Sequence, residues 1–539
     1  TYPTYNGAIG MTYEQGGSGW AGLAITTNGG DTLTLKDRIS HHLITGLSTL
    51  EVTSKNVDRL NQEFKKYYQL KNYDYHAYVL NGKHDNLVAL TKLLEQHEIE
   101  FGVGHTDNVK GFNYSTGKNG SMQADTNSIV VSTQQKKGTL VKVLFEPDAK
   151  LSDSLTYDIT AWSLPYAYGL QAIAVESMVP VKGKKSSQEF ASSGKFKTSQ
   201  ITNEKGAYAF LTNWASMEDA KFLADLLKAG IKVRYAKKPF IMDGTRYDRG
   251  TLIIARADNK HTADFLVELD AIATLHRKPL SATSTGFVEG GKDFGSDSVQ
   301  LIDDVNVAVL SGEPTATLQF GEIWHFFEQQ IHYPLSTIDT EYFEQLDLSE
   351  YDVLILPDGE GYNKFMDKNI LNDLKDWVKK GGKLIAMGGA LKGLAGEKKG
   401  FHLNTKEIGQ DSSLYLPVYD ETRRQQIKKA ITGAIFKAQV DNTHPLAYGY
   451  DETYFTLKLG NDAYSLLDEG TVVYLGEDDT KPIAGFAGSM AQEKINETLI
   501  FGVEKLGEGH IIYMVDNPLF RGFWENGKLF FANALFLVN

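Results

Sequence analysis

Glu14 is the residue whose surroundings most invite chemistry. It follows the apolar run Ile9-Gly10-Met11-Thr12-Tyr13 and leads into Gln15-Gly16-Gly17. A carboxylate fixed at a strand end and facing an open glycine loop suits a general base beside a metal-bound water. A solvated surface Glu has the same local signature, since acidic side chains are mostly exposed. His41 and His42 are the next candidates. Neighbours on a helix point about 100° apart, whereas a helical metal pair sits at i and i+4. No His-Glu-x-x-His occurs, so both read as ordinary helix residues. Gly359-Glu360-Gly361 and the stretch 290–295 invite a phosphate reading. Neither matches a P-loop or a dinucleotide fingerprint, and Asp358, Glu360, Glu289 and Asp293 repel phosphate. Tyr157, Trp162, Tyr166 and Tyr168 could stack on a sugar or a peptide, but aromatic residues more often fill cores. Phe520-Arg521-Gly522-Phe523-Trp524 reads in the same way, as an arginine held structurally between rings.

Composition narrows the classes. The chain has 539 residues, which at about 150 per domain suggests three or four domains. Hydrophobic residues make up 42% and charged residues 23%, as in packed protein, which excludes global disorder. Acidic residues exceed basic ones, 68 to 55, so no global positive field attracts nucleic acid. No apolar run approaches the roughly 18 residues of a membrane span. Cysteine is absent, which removes disulfides, thiolate metal sites and cysteine nucleophiles.

The elements that must position these residues follow from periodicity. Ala8–Thr12 and Ala21–Thr26 are expected as strands joined by Gly16-Gly17-Ser18-Gly19, with a further turn at Gly29-Gly30. Thr34-Leu35-Lys36-Asp37 reads as a capping box. Ile39, Leu43, Leu47, Leu50, Val57, Leu60, Phe64 and Tyr67 then mark one face of a helix to about Gln69, expected to pack on a core. An internal repeat follows. Tyr75–Leu80, Asp85–His97 and Ile99–Val103 give strand, helix and strand, and so do Ala207–Thr212, Ser216–Ala229 and Ile231–Tyr235. A further strand follows in each, Ile129–Ser132 and Thr251–Ala255, and the pattern predicts parallel βαβ layers. Val181–Gly206, rich in Lys, Ser and Gly, reads as a surface loop or linker. From Leu301 onward, strands at Val305–Leu310, Val353–Leu356 and Lys383–Met387 alternate with helices at Ile323–Gln330 and Asn369–Lys380, as in an open doubly wound α/β sheet. Thr471–Leu475, Thr498–Val503 and His510–Val515 close that sheet, and Lys528–Leu537 forms a last helix.

The segment from Tyr2-Pro3-Thr4-Tyr5-Asn6-Gly7 through Glu14-Gln15-Gly16-Gly17 resembles the last active-site strand of bacterial zinc carboxypeptidases of the carboxypeptidase A type. The resemblance implies that Glu14 is the catalytic glutamate. Thr34–Ile39 and His41-His42 continue it into that family's last long helix. Leu144-Phe145-Glu146-Pro147, the stretch Tyr157–Tyr166 and the stretch Asp516–Trp524 resemble the C-terminal extension of a secreted subgroup. The family's zinc ligands, His-x-x-Glu and a later His, and its carboxylate-gripping arginines all precede the glutamate strand. Only 13 residues precede Glu14 here, and none is His or Arg. The resemblance therefore implies zinc in an intact parent and none in this chain. The start at Thr1 is expected of a fragment, a processed product or a split gene, without a signal segment to read. A severed peptidase sheet is expected to leave an unpaired strand edge and exposed apolar surface near residues 1–70.

Val353–Gly359 and Lys383–Ala390 resemble the central strand and nucleophile-elbow strand of class I glutamine amidotransferases, which are flavodoxin-like. The elbow here is Gly388-Gly389-Ala390, with neither Cys nor Ser to attack an amide.

The reading is a multidomain α/β chain. Residues 1–72 are a carboxypeptidase remnant, 73–285 a βαβ-repeat region with a linker near 181–206, and 286–539 a degenerate amidotransferase-like domain. The parent is expected to hydrolyse C-terminal peptide bonds, with a peptide substrate and the missing peptidase portion as partners. The resemblance implies a periplasmic or secreted location. The alternative is a non-catalytic binding or structural module.

Overall fold

The computed structural model describes residues 2–14, 22–27, 29–69, 71–103, 108–150, 158–179, 183–193, 206–407 and 418–539. The glycine turn 16–19 and Tyr157 lie outside them. The first strands, β1 (Ala24–Thr26) and β2 (Thr32–Thr34), form an antiparallel ribbon. Thr34 then caps α1 (Leu35–Lys55). Its Oγ1 accepts the Asp37 N–H at 3.2 Å, and Asp37 Oδ2 accepts the Thr34 N–H at 3.0 Å. This is the reciprocal box expected from the sequence. The helix breaks at Asn56 (φ −117°), and α2 (Val57–Tyr67) follows. Neither helix has a buried residue. The stripe expected to pack on a core is exposed instead, at 58% for Ile39, 59% for Leu43 and 68% for Leu50. The expectation fails because the described chain turns no surface toward this face. Ala8–Thr12 forms no strand. It has no described strand to pair with, and a strand needs partners for its backbone groups. The segment touches the body through a few polar contacts, including Tyr2 Oη with His97 Nδ1 at 2.7 Å and Lys137 Nζ to Asn6 Oδ1 at 2.9 Å.

The internal repeat is present and longer than the sequence suggests. The first unit runs β3 (Ala77–Asn81), α3 (His84–Gln96), β4 (Phe101–Val103), a hairpin β5 (Asn108–Asn113) and β6 (Lys118–Gln123), β7 (Ile129–Ser132), α4 (Gly138–Phe145), a short α5 (Leu164–Ala167) and β8 (Gln171–Val175). After α6 (Ser187–Ser193), the second unit repeats the order. It has β9 (Ala209–Thr212), α7 (Met217–Lys228), β10 (Val233–Ala236), a hairpin β11 (Phe240–Met242) and β12 (Thr245–Tyr247), β13 (Leu252–Ala255), α8 (Phe265–Leu275) and β14 (Ser281–Thr283). The strand orders correspond, β4-β7-β3-β8 and β10-β13-β9-β14.

These layers are antiparallel, which corrects the parallel reading. Each helix crosses over one vacant strand position, and β7 or β13 returns into the gap antiparallel to both neighbours. The result is a split βαβ unit. Periodicity reports strand and helix but not the skipped place. β15 (Val299–Ile302), beyond the expected boundary at 285, pairs with β10 and extends the second sheet. The segment read as a linker contains α6, whose Phe190 is fully buried against the His84 ring.

The third unit begins with β16 (Val307–Ser311), α9 (Thr317–His325), β17 (Ser336–Asp339), β18 (Val353–Leu356), α10 (Tyr362–Phe365), α11 (Lys368–Lys379), β19 (Lys383–Met387) and α12 (Ala390–Leu394). It continues through α13 (Thr422–Lys428), β20 (Ala434–Val440), β21 (Thr453–Lys458), β22 (Thr471–Leu475), α14 (Ser489–Lys494), β23 (Thr498–Leu506), β24 (Gly509–Met514) and α15 (Glu525–Phe536). Nine strands form one sheet, β17-β16-β18-β19-β24-β23-β22-β20-β21, whose first five are parallel. Side chains alternate between its faces. Leu354, Leu384 and Ile511 join the core under α11, with Leu374 and Trp377. Val353, Ile385 and Ile512 join the core on the opposite face, with Phe530 and Phe531 of α15. The sheet is therefore covered on both sides, as a doubly wound α/β layer requires.

All three units share one core, and α15 runs through it. Asn533 on α15 is fully buried. Its amide donates to Leu446 O and Tyr448 O, both at 2.8 Å, and its Oδ1 accepts the Trp214 indole N–H at 2.7 Å. Trp214 lies between β9 and α7 of the second unit, so one side chain ties two units together. Replacing Asn533 by Leu strands one donor and two acceptors. The expected loss is roughly 3 kcal/mol or more, read from urea unfolding.

Between the first two units lies a charged cluster. Lys278 Nζ, nearly buried, pairs with Asp219 at 2.7 Å and faces Asp85 at 3.6 Å. His276 sits beside Asp225 at 2.6 Å and Glu218 at 3.9 Å. Burial alone would push the His276 pKa down, but these two carboxylates outweigh it and raise it. The same contacts, with Lys221, overcome burial at Glu218 and hold it down to about 2. A raised histidine stabilises below its unfolded pKa of about 6.5 and loses that contribution as pH rises through its folded value. A lowered carboxylate stabilises above its unfolded pKa and loses that as pH falls. The stability gap between the parent chain and His276→Gln is therefore expected to be widest near about pH 5–6 and to narrow toward about pH 9. Urea midpoints across that range read it directly.

Candidate functional site

Glu14 lies exposed in irregular chain, beside Tyr13, whose hydroxyl bonds Thr49 Oγ1 at 2.6 Å. The glycines that follow it are outside the described residues. His41 and His42 stand exposed on α1. Among the described residues no three His, Cys, Asp or Glu side chains converge to hold a metal ion. The sequence-predicted acid and histidines are therefore not brought together, and the described residues do not fit a catalytic zinc. Tyr166 and Tyr168 are buried in the core, and Trp162 donates its indole N–H to Val143 O at 2.8 Å.

The third unit offers a different geometry. Its parallel strands, numbered by chain order, lie 2-1-3-4-5. This is the flavodoxin-like order, which opens a crevice at the carboxyl ends where the order reverses, between β16 and β18. The turn after β18 carries Asp358. Burial pushes its pKa up, partly offset by the Gly389 and Gly359 amides. Its Oδ1 accepts the Gly389 N–H at 2.6 Å, and its backbone carbonyl accepts the Ala316 N–H at 3.0 Å.

Asp358 thereby occupies the elbow after β19. A Cβ on Gly388, whose φ is +51°, would lie 2.4 Å from Asp358 Cγ, and one on Gly389 would lie 2.0 Å from Gly359 O. No side chain fits at either position without the turns moving apart. The backbone N–H that could meet a developing oxyanion already holds a carboxylate. The crevice outside, about 870 Å³, is lined by Glu313, Asp358 and Glu360 with Lys364.

A larger cleft of about 1180 Å³ lies beside it, between α9, the 431–433 segment and the turn after β24. Glu322 on α9 is nine-tenths buried there. It accepts hydrogen bonds from the Asn517 side-chain amide and, at 2.9 Å, from the Arg521 N–H. Burial raises its pKa against those two donors. Arg521 takes the left-handed conformation, φ 49° and ψ 23°. Sequence reasoning picked out Arg521 only as a structural residue and passed over Glu322. The available signal was an acid directly before the apolar Ile323 on a helix expected to pack on the sheet.

No protein-family model matches the chain, and no curated protein sequence matches it. Solved structures with local likeness include a β-galactosidase from Bacillus circulans sp. alkalophilus, at 15% identity and TM-score 0.25, over 42% of this chain. The chain spans only 30% of that protein's length. A glutamine amidotransferase from Thermotoga maritima matches at 13% identity and TM-score 0.26, over 40% of this chain and 77% of its own. A protein described as one component of a GMP synthase, from Thermoplasma acidophilum, matches at 10% and 0.28, over 43% and 94%. Likenesses at these scores carry no argument, and the flavodoxin-like reading rests on the strand order.

The closed elbow makes a prediction. Gly389→Ala forces a methyl group into the Gly359 carbonyl and is expected to destabilise the chain by about 1–3 kcal/mol. Gly295→Ala, with no atom within 4 Å of its added Cβ, is the control. It is expected to stay within about 0.5 kcal/mol.

Proposed function

We propose that the chain is the C-terminal portion of a zinc metallocarboxypeptidase-like protein. On this reading residues 1–72 end the peptidase domain, and the third unit is a degenerate class I amidotransferase-like domain that serves as support. One observation carries the reading. The two helices of residues 35–67 bury no side chain, although Ile39, Leu43, Leu47, Leu50 and Phe64 are apolar. An apolar face this long on an otherwise well-packed chain marks a missing contact. The β1–β2 ribbon has no third strand among the described residues, as expected for a sheet cut short.

The described residues do not fit a zinc site, so no step is derived through the metal. Its ligands belong, on this proposal, to the portion preceding Thr1. Glu14 is assigned the general base, taking a proton from the attacking water and passing it to the leaving amine. The substrate is a peptide, and the location is the periplasm or outside the cell.

The test is the coding sequence upstream of Thr1, followed by Glu14→Gln in the complete parent. An in-frame His-x-x-Glu and later His are expected. The substitution is expected to lower kcat by about 10²–10⁴-fold with zinc still bound. Unchanged peptide hydrolysis would overturn the assignment.

A further inference from the structure

We propose that the cleft between α9 and the turn after β24 binds a small carboxylic acid bearing an aliphatic or aromatic group. The inference is independent of the peptidase reading.

Its apolar lining is Ile159, Leu318, Leu459, Phe520 and Phe523, and Glu322 and His325 also border it. A site of this volume and character takes a small organic molecule, with a few polar groups fixing its orientation. The cation among them is Arg521. Its guanidinium lies 5.1 Å from the centre of the Phe520 ring, and the Glu322 carboxylate feels its charge without forming a direct ion pair with it. A planar guanidinium backed by a ring has its donor edge available for a carboxylate.

Left-handed φ belongs to glycine, and Gly522, next in the chain, adopts it at +69°. Glycine at 521 would satisfy the same turn without a Cβ. An arginine stands there instead, held because Glu322 accepts its N–H. Glu322 thus acts as a positioning residue. Both its oxygens are engaged, one by Arg521 N–H and the other by the Asn517 amide. Thr432 lines the same cleft. Its Oγ1 is buried without a hydrogen-bond partner among the described residues. A guanidinium stacked on a ring, with its donor edge open beside apolar side chains, complements a carboxylate with an apolar tail.

Calorimetric titration of the full chain with 3-phenylpropanoate and with 3-phenylpropanamide tests this. The two probes share shape and differ in charge. The acid is expected to bind saturably and about tenfold tighter than the amide. Arg521→Gly suits the left-handed turn, so its melting temperature is expected to match the parent's while its preference for the acid disappears. Equal binding of acid and amide by the parent chain overturns the proposal. So does a preference that survives Arg521→Gly, or the absence of saturable binding by either probe.

Discussion

One buried amide constrains how the units of this protein can be arranged. Asn533 meets Leu446 O, Tyr448 O and the Trp214 indole at once, with no hydrogen-bonding group of its side chain left over. A polar group at zero exposure is costly unless its partners are in place. The partners come from different parts of the chain, so the second unit must dock on α15 in one orientation. Apolar packing around them is less discriminating. Phe530 stacks on Tyr450 with centroids 3.7 Å apart, and Phe531 packs edge-on against Phe326. Such contacts supply much of the burial, while the amide selects one arrangement of it.

Buried lysines extend the same logic. Lys278 pairs with Asp219 between the first two units, and Lys458 pairs with Asp516 at 3.0 Å under the third sheet. Lys383 has no such partner among the described residues. It donates to Leu535 O at 2.9 Å and to Asn539 Oδ1 at 3.3 Å, and burial pulls its pKa down to about 7. Buried pairs add little net stability against an apolar replacement, but removing one member is severe. Each therefore specifies an arrangement more than it stabilises one. Lys383 belongs to β19, so its bonds fasten the end of the chain to the central sheet.

Much of this was legible in the sequence wherever local period and local chemistry agreed. The Thr34–Asp37 box, the runs Val353–Leu356 and Lys383–Met387, and the repeat of strand, helix and strand all appear at or near their expected places. What escaped was non-local. Nothing within Tyr75–Val103 says that β7 will return between β3 and β4, so parallel layers were expected where antiparallel ones formed. The stripe from Ile39 to Tyr67 has the period of a packed helix, but the period does not supply the surface it packs on. Glu322 was invisible for the same reason. Its donors, Asn517 and Arg521, lie about two hundred residues away in the chain and meet it only through the order of β16 and β24.

That order also explains where the open space lies. A 2-1-3-4-5 sheet places its crevice between β16 and β18. Here the floor of the crevice is closed by Ala316 N–H on Asp358 O, by Gly389 N–H on Asp358 Oδ1, and by Gly359 packed against Pro314 O. The bonds that close the elbow also hold the start of α9 against the turn after β18. The other side of α9, bearing Glu322 and His325, is left to line a cleft with the turn after β24. Asp358 packs into the elbow after β19, and the neighbouring cleft is bordered by Glu322, His325 and Arg521.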